Sequence, residues 1–138
     1  ILPVCQNVIK NDLTLIGAVM KKDIAGMPVM AFVEQAKNDK AAKNNEATAY
    51  GVTFGNAKAP GSWEVAYLHQ KVEANSISTV WTDSDFANGF NAHEGYTIRG
   101  TYALADGWKI NARYFDTKIG VPATTPIKRT MVDLVYSF

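Results

Sequence analysis

Apolar and polar residues alternate one by one along much of this chain. In "YTIRGTYAL", Tyr96, Ile98, Gly100, Tyr102 and Leu104 share one side, opposite Thr97, Arg99, Thr101 and Ala103. In "WKINARYFD", Trp108, Ile110, Ala112 and Tyr114 oppose Lys109, Asn111, Arg113 and one exception, Phe115. In "WEVAYLHQ", Trp63, Val65 and Tyr67 oppose Glu64, Ala66, Leu68 and Gln70, and in "TAYGVTFG", Tyr50, Val52 and Phe54 oppose Ala49, Gly51, Thr53 and Gly55. At the end, "TMVDLVYSF" sets Thr130, Val132, Leu134, Tyr136 and Phe138 against Asp133 and Ser137, with Arg129 on the same polar side and Met131 and Val135 between. Successive side chains of a strand point to opposite faces, so these segments predict β-strands with one apolar face. Residues 13–22 and 27–37 are also read as strands, although both of their faces carry apolar residues. Helix is expected only as a turn inside the segment 74–93, because a helical reading of 96–104 scatters its apolar residues round the cylinder. The count is seven strands, with residues 2–9 a candidate eighth.

The connections fall into two kinds. "DIAGM" (23–27), "NAKAPGS" (56–62) and "ADG" (105–107) are short and rich in turn formers, whereas 37–46, 73–93 and 120–126 are on average longer and polar. They alternate strictly, so in an up-and-down sheet all the short turns lie at one end. That asymmetry belongs to outer-membrane barrels, with short periplasmic turns and longer extracellular loops. The aromatic residues follow the same division. Trp63, Tyr102, Trp108, Tyr136 and Phe138 fall near the short-turn ends of their strands on the apolar face, and Tyr96 and Tyr114 near the other ends. Amphipathic rings favour both interfaces of a bilayer, which gives two girdles a physical cause.

Composition narrows the choice further. The chain has 138 residues, the size of one domain, and balances 14 Lys+Arg against 13 Asp+Glu. A clustered basic excess of the kind that binds nucleic acid is absent. The single Cys5 has no second thiol to pair with and reads as a small apolar filler. No apolar run approaches the ~18 residues of a membrane helix, a test that does not detect membrane strands. No secretory leader is recognisable at the start "ILPVCQNVIK", which reads as a processed chain or a piece of a larger one.

The residues with chemical potential do not assemble into a catalytic or metal motif. His69 and His93 lack the spacing of a helical metal pair and read as surface or interface residues. Asp83 and Asp85 in "TDSDF" lie outside any EF-hand pattern and are expected to shape the loop through Asx turns. Ser62, Ser76, Ser78 and Ser84 lack the glycine-flanked setting of an elbow nucleophile. No enzyme activity, cofactor or metal is expected.

Residues 50–118 are similar to the C-terminal part of the Gram-negative putative-porin family of outer-membrane β-barrels. The features that carry the likeness are "G.AK.PG.WE..Y", the "SDF" loop, "EGY...G.YAL" and "K...RYF". The closing "LVYSF" resembles the general signal by which barrels are recognised by the outer-membrane assembly machinery, with Leu134, Tyr136 and Phe138 in the signal positions. The resemblance implies an all-β, antiparallel, up-and-down transmembrane barrel in the bacterial outer membrane, with the C-terminus on the periplasmic side. It also implies that residues 1–138 are the C-terminal portion of a larger barrel rather than a complete eight-stranded one. The expected partners are outer-membrane lipid, the assembly machinery and small hydrophilic solutes or ions, and homo-oligomers are compatible with the reading.

A three-residue "ADG" turn, with Gly107 in the left-handed position, sets the register of the strands on either side. It pairs Leu104 with Trp108, Tyr102 with Ile110, Gly100 with Ala112 and Arg99 with Arg113, to within the one residue a bulge can shift. Two arginines then face each other, an arrangement worth roughly 0.2–1 kcal/mol of repulsion that a water-filled lumen screens. The reading is therefore a porin for passive diffusion with a basic stripe of Arg99, Lys109, Arg113 and Arg129, beside inward Glu64 and Asp133. A structural barrel or sheath around a partner protein is the alternative, and a soluble β-sandwich binding module is the second alternative. The other reading of these arginines is that they only hydrogen-bond to loop or wall carboxylates, and reversal potentials under a salt gradient decide between the two.

Overall fold

A computed structural model of the chain describes residues 12–78 and 83–137. Cys5, the candidate strand over 2–9, Val80, Trp81 and Phe138 lie outside the described residues. Seven strands follow one another: β1 (Leu13–Ile24), β2 (Met27–Asn38), β3 (Glu46–Gly55), β4 (Trp63–Val72), β5 (His93–Ala105), β6 (Trp108–Ile119) and β7 (Thr125–Tyr136). They form one antiparallel sheet in the order β1-β2-β3-β4-β5-β6-β7, so every chain neighbour is also a sheet neighbour. Among the described residues the sheet is up-and-down and open, with β1 paired to β2 and β7 to β6. The described strands lie in a single sheet, whereas a sandwich packs two sheets face to face. The strands run to 10–13 residues, at or beyond the ~9–11 that a tilted strand needs to cross a bilayer. A helical turn, Phe86–Gly89, lies inside the long connection, where the sequence leaves room for it.

Cross-strand pairing arranges the side chains in rows. On one face Trp63 opposes Tyr102, Tyr102 opposes Ile110, and Ile110 opposes Leu134. On the other, Thr101 opposes Asn111 and Asn111 opposes Asp133. The pairings of Tyr102 with Ile110, Gly100 with Ala112 and Arg99 with Arg113 are those expected from the "ADG" turn. Next to the turn the register slips, and Trp108 opposes Ala105 rather than Leu104. The cause is a bulge: Gly107 takes φ +75°, and the extra residue is absorbed between Ala103 and Ala105. A Cβ at Gly107 would also stand 2.5 Å from the Ser137 carbonyl oxygen.

The two faces differ in what covers them. Met20, Val33, Phe54, Trp63, Val65, Ile98, Tyr102, Trp108, Ile110, Val132, Leu134 and Tyr136 are all exposed on the first face. Such a surface, continuous over seven strands, far exceeds the few hundred Å² of apolar patch usual on a protein bathed in water. The two clusters of buried residues lie on the opposite face, towards the end that carries the long connections. Ala36, Ala47 and Val72 form one cluster with Leu13 and Ile77, and Phe86, Ala87 and Phe115 form another with Ile119 and Met131. The first face is called apolar and the second polar below.

One close approach ties β2 to β3. Gly51 pairs with Phe32, and a Cβ on Gly51 would meet the Phe32 ring at 2.7 Å and the Tyr67 carbonyl oxygen at 2.6 Å. The ring therefore covers the missing side chain. Gly51→Val is expected to push Phe32 aside and lower stability by about 1–3 kcal/mol, read as a lower urea midpoint for unfolding from lipid vesicles than that of the unsubstituted protein.

Candidate functional site: the polar face and the segments folded over it

The margins of the apolar face define how the sheet meets its surroundings. At the short-turn end Trp63, Tyr102, Trp108 and Tyr136 lie on this face, and the Trp108 and Tyr136 rings meet at 4.7 Å, tilted by 37°. Towards the other end Tyr67, Tyr96 and Tyr114 form a continuous row, with centroids 5.9 and 6.4 Å apart. Tyr50 extends the row by stacking on His69 at 4.9 Å. Beyond it the face turns charged, with Lys71, Glu94, Lys118, Asp116 and Lys128 in register and Lys128 paired to Asp116 at 3.3 Å. From Trp108 to Asp116 along β6 is roughly 27 Å of strand, or about 20 Å of thickness at a tilt near 40°. This approaches the ~25 Å apolar band of an outer-membrane barrel. The sequence singled out Tyr96 and Tyr114 but not Tyr50 or Tyr67, whose places in the row depend on a register that only the paired strands reveal.

On the polar face the four basic residues of the sequence reading sit on adjacent strands, Arg99 on β5, Lys109 and Arg113 on β6, and Arg129 on β7. Arg99 and Arg113 are directly opposed, yet each is turned to a carboxylate. Arg99 Nη2 meets Glu64 Oε1 at 2.8 Å, across the β4–β5 pair. Arg113 Nη2 reaches Asp133 Oδ2 at 3.4 Å on β7, and its Nη1 reaches Asp85 Oδ2 at 3.6 Å. Arg129 Nη1 takes the other oxygen of Asp85 at 3.1 Å. The stripe is thus held by wall and loop carboxylates. Lys109 is the member without an acidic contact among the described residues.

Asp85 comes from the long connection, which folds over the polar face. Asp83 starts the turn by accepting the Asp85 N–H at 2.9 Å, the Asx turn expected of it. Phe86 and Ala87 are each 1% exposed. The Phe86 ring meets Phe115 edge-on at 6.3 Å and lies 5.1 Å from the His93 ring. Phe115, the one break in the β6 alternation, is therefore the floor on which the loop rests. Ala87 and Asn88 adopt left-handed backbone, φ 51° and 55°, which for alanine costs about 1–2 kcal/mol. Burial of Phe86 and the bonds from Arg129 to Asp85 and Asn88 offset it. Ile77 packs onto Ala36 and Val72, so this stretch also lies against the wall, while Phe90 stays exposed.

Two sequence expectations are corrected here. His93 is a core residue, 1% exposed, rather than a surface or interface one. Gln70 bonds its Nε2 at 2.9 Å, and its Nδ1 meets the Phe90 carbonyl. Asp85 is an ion-pair partner as well as a loop former, which a pattern of spacings along one segment does not disclose. Ser62 and Ser76 donate to the carbonyls of Ala59 and Glu73, a structural use. No cluster of three metal-ligating side chains occurs among the described residues.

A meander of membrane-length strands, apolar towards one side and ion-paired towards the other, defines the wall of a transmembrane β-barrel. The profile of the Putative porin family matches residues 8–138, and the chain belongs to that family. Membership places it among outer-membrane channel proteins, and so among channels rather than enzymes. No curated protein matches the chain.

Because Asp85 bonds two strands at once, its charge holds the loop to the wall. Asp85→Asn is expected to raise amide hydrogen exchange over residues 83–90 by about tenfold or less, the size of a partly exposed pair, while exchange in β5 and β6 stays unchanged.

Proposed function

We propose that the chain is the C-terminal portion of an outer-membrane porin that admits small hydrophilic solutes and ions by passive diffusion. The observation that carries the reading is the division of the sheet: an apolar face with aromatic margins, backed by a face of part-exposed ion pairs. In a dry core those charges would be costly to desolvate, whereas a water-filled lumen leaves them hydrated. The open sheet supports the larger barrel. In lipid the outer edges of β1 and β7 need partners beyond the described strands, and single-chain bacterial barrels close with an even number of strands. With the short turns on the periplasmic side, the terminus of β7 lies there too, and the infolded loop enters from outside.

Arg99, Lys109, Arg113 and Arg129 then line the lumen with Glu64 and Asp133. Since three of the four are paired, the resulting preference for anions is weak. Reversal potentials of the full-length protein in planar bilayers under a salt gradient test this. Arg99→Glu with Arg113→Glu is expected to shift the permeability ratio towards cations by about fivefold, since a unit charge at ~4 Å in water is worth roughly 1 kcal/mol. An unchanged ratio removes the stripe from selectivity.

Leu134, Tyr136 and Phe138 serve as the assembly signal in this reading. Leu134 and Tyr136 lie exposed on the apolar face of β7. Deleting Phe138 is expected to reduce the amount of protein reaching the outer membrane and its heat-modifiable gel band, and normal yield of both would refute the role.

A further inference from the structure

The turn 56–62 does not simply reverse the chain. Asn56 N–H donates to the Trp63 carbonyl at 2.9 Å, and Lys58 N–H to the Asn56 carbonyl at 3.1 Å. Gly61 N–H bonds the Ala103 carbonyl at 2.7 Å, while Ala103 N–H bonds the Ser62 carbonyl at 2.9 Å. These bonds clip the turn to the end of β5. Ala57 is left 4% exposed and Ala103 1% exposed, so the turn is folded onto the polar face. Beside it opens a recess of about 440 Å³ lined by Asn56, Lys58, Glu64, Arg99, Thr101, Lys109, Asn111 and Arg113, with Ala57.

The charges around this recess do not cancel. The cations here and on the adjoining wall are Lys58, Arg99, Lys109, Arg113 and Arg129, and the carboxylates that touch them are Glu64, Asp85 and Asp133. Two positive charges remain, those of Lys58 and Lys109, which have no acidic contact among the described residues. A neutral donor joins them. Thr101 Oγ1 donates to Asn111 Oδ1 at 2.9 Å, which fixes the amide and leaves the Asn111 Nδ2 hydrogens without an acceptor among the described residues.

We infer that this recess is a binding site for a small doubly charged oxyanion, with Lys58 and Lys109 as its charged ligands and Asn111 as a neutral donor. Two unmatched ammonium groups match a dianion in charge, and oxyanion oxygens accept from ammonium and amide alike. The recess has room for inorganic phosphate or a short dicarboxylate with part of its hydration. The site rests on the channel reading and goes beyond it, since a weakly anion-preferring pore need not hold any solute.

The test is chloride conductance of the full-length protein in planar bilayers, titrated with inorganic phosphate, succinate or, as a singly charged control, acetate. Phosphate or succinate is expected to reduce the chloride current saturably and acetate to do so far less. Lys58→Ala with Lys109→Ala is expected to raise the half-blocking concentration by about tenfold or more, and Lys40→Ala, in the exposed connection after β2, to leave it unchanged. Absence of any conductance overturns the channel reading and the site with it. A chloride-conducting channel that shows no saturable block, or the same block in the double variant, overturns the site alone.

Discussion

Hydrocarbon offers no hydrogen-bond partner, so within it every backbone N–H and C=O must be satisfied by the protein itself. In this chain the antiparallel ladder between sequence neighbours meets that demand, and nearly everything else is a consequence of its register. A slip of one residue would move each apolar row to the other face and carry the ion pairs into lipid. The bulge beside Gly107 is where the β5–β6 ladder absorbs its irregularity. It confines the slip to the last pair before the turn, so Arg99 still meets Arg113 and each can reach its carboxylate.

Legibility in the sequence followed the physics of alternation. Strands β4 to β7 alternate apolar and polar along most of their length, and their period of two was plain without any structure. Strands β1 and β2 were less distinct because Leu15, Val19, Met30 and Phe32 put apolar groups on the polar face too, with Val19 directly opposite Phe32 in the ladder. The ends of the strands were hidden where residues suited to turns continue them. Gly95 lies inside β5 and Pro126 inside β7, and both look like loop from composition alone. The site was legible by face but not by partner. Arg99, Arg113 and Arg129 could be placed on one wall from parity, whereas the carboxylate between two of them arrives from 44 positions away along the chain. Contacts of that kind follow from where a loop folds, which no periodicity encodes.

Two connections of different length fold onto the same face from opposite ends. The longer one carries its own apolar anchor, Phe86, seated on Phe115 and His93. The shorter one is held almost wholly by backbone hydrogen bonds to the end of β5. The first depends on side chains and the second on main-chain geometry, so substitutions that loosen one leave the other in place.

Asp85 divides its two oxygens between guanidinium groups on adjacent strands. In the channel proposed above, lifting the loop would therefore do two things in a single motion: widen the passage and strip the counter-charge from Arg129, leaving Arg113 only Asp133. Aperture and electrostatic field would be mechanically coupled, a wider opening being at the same time a more positive one.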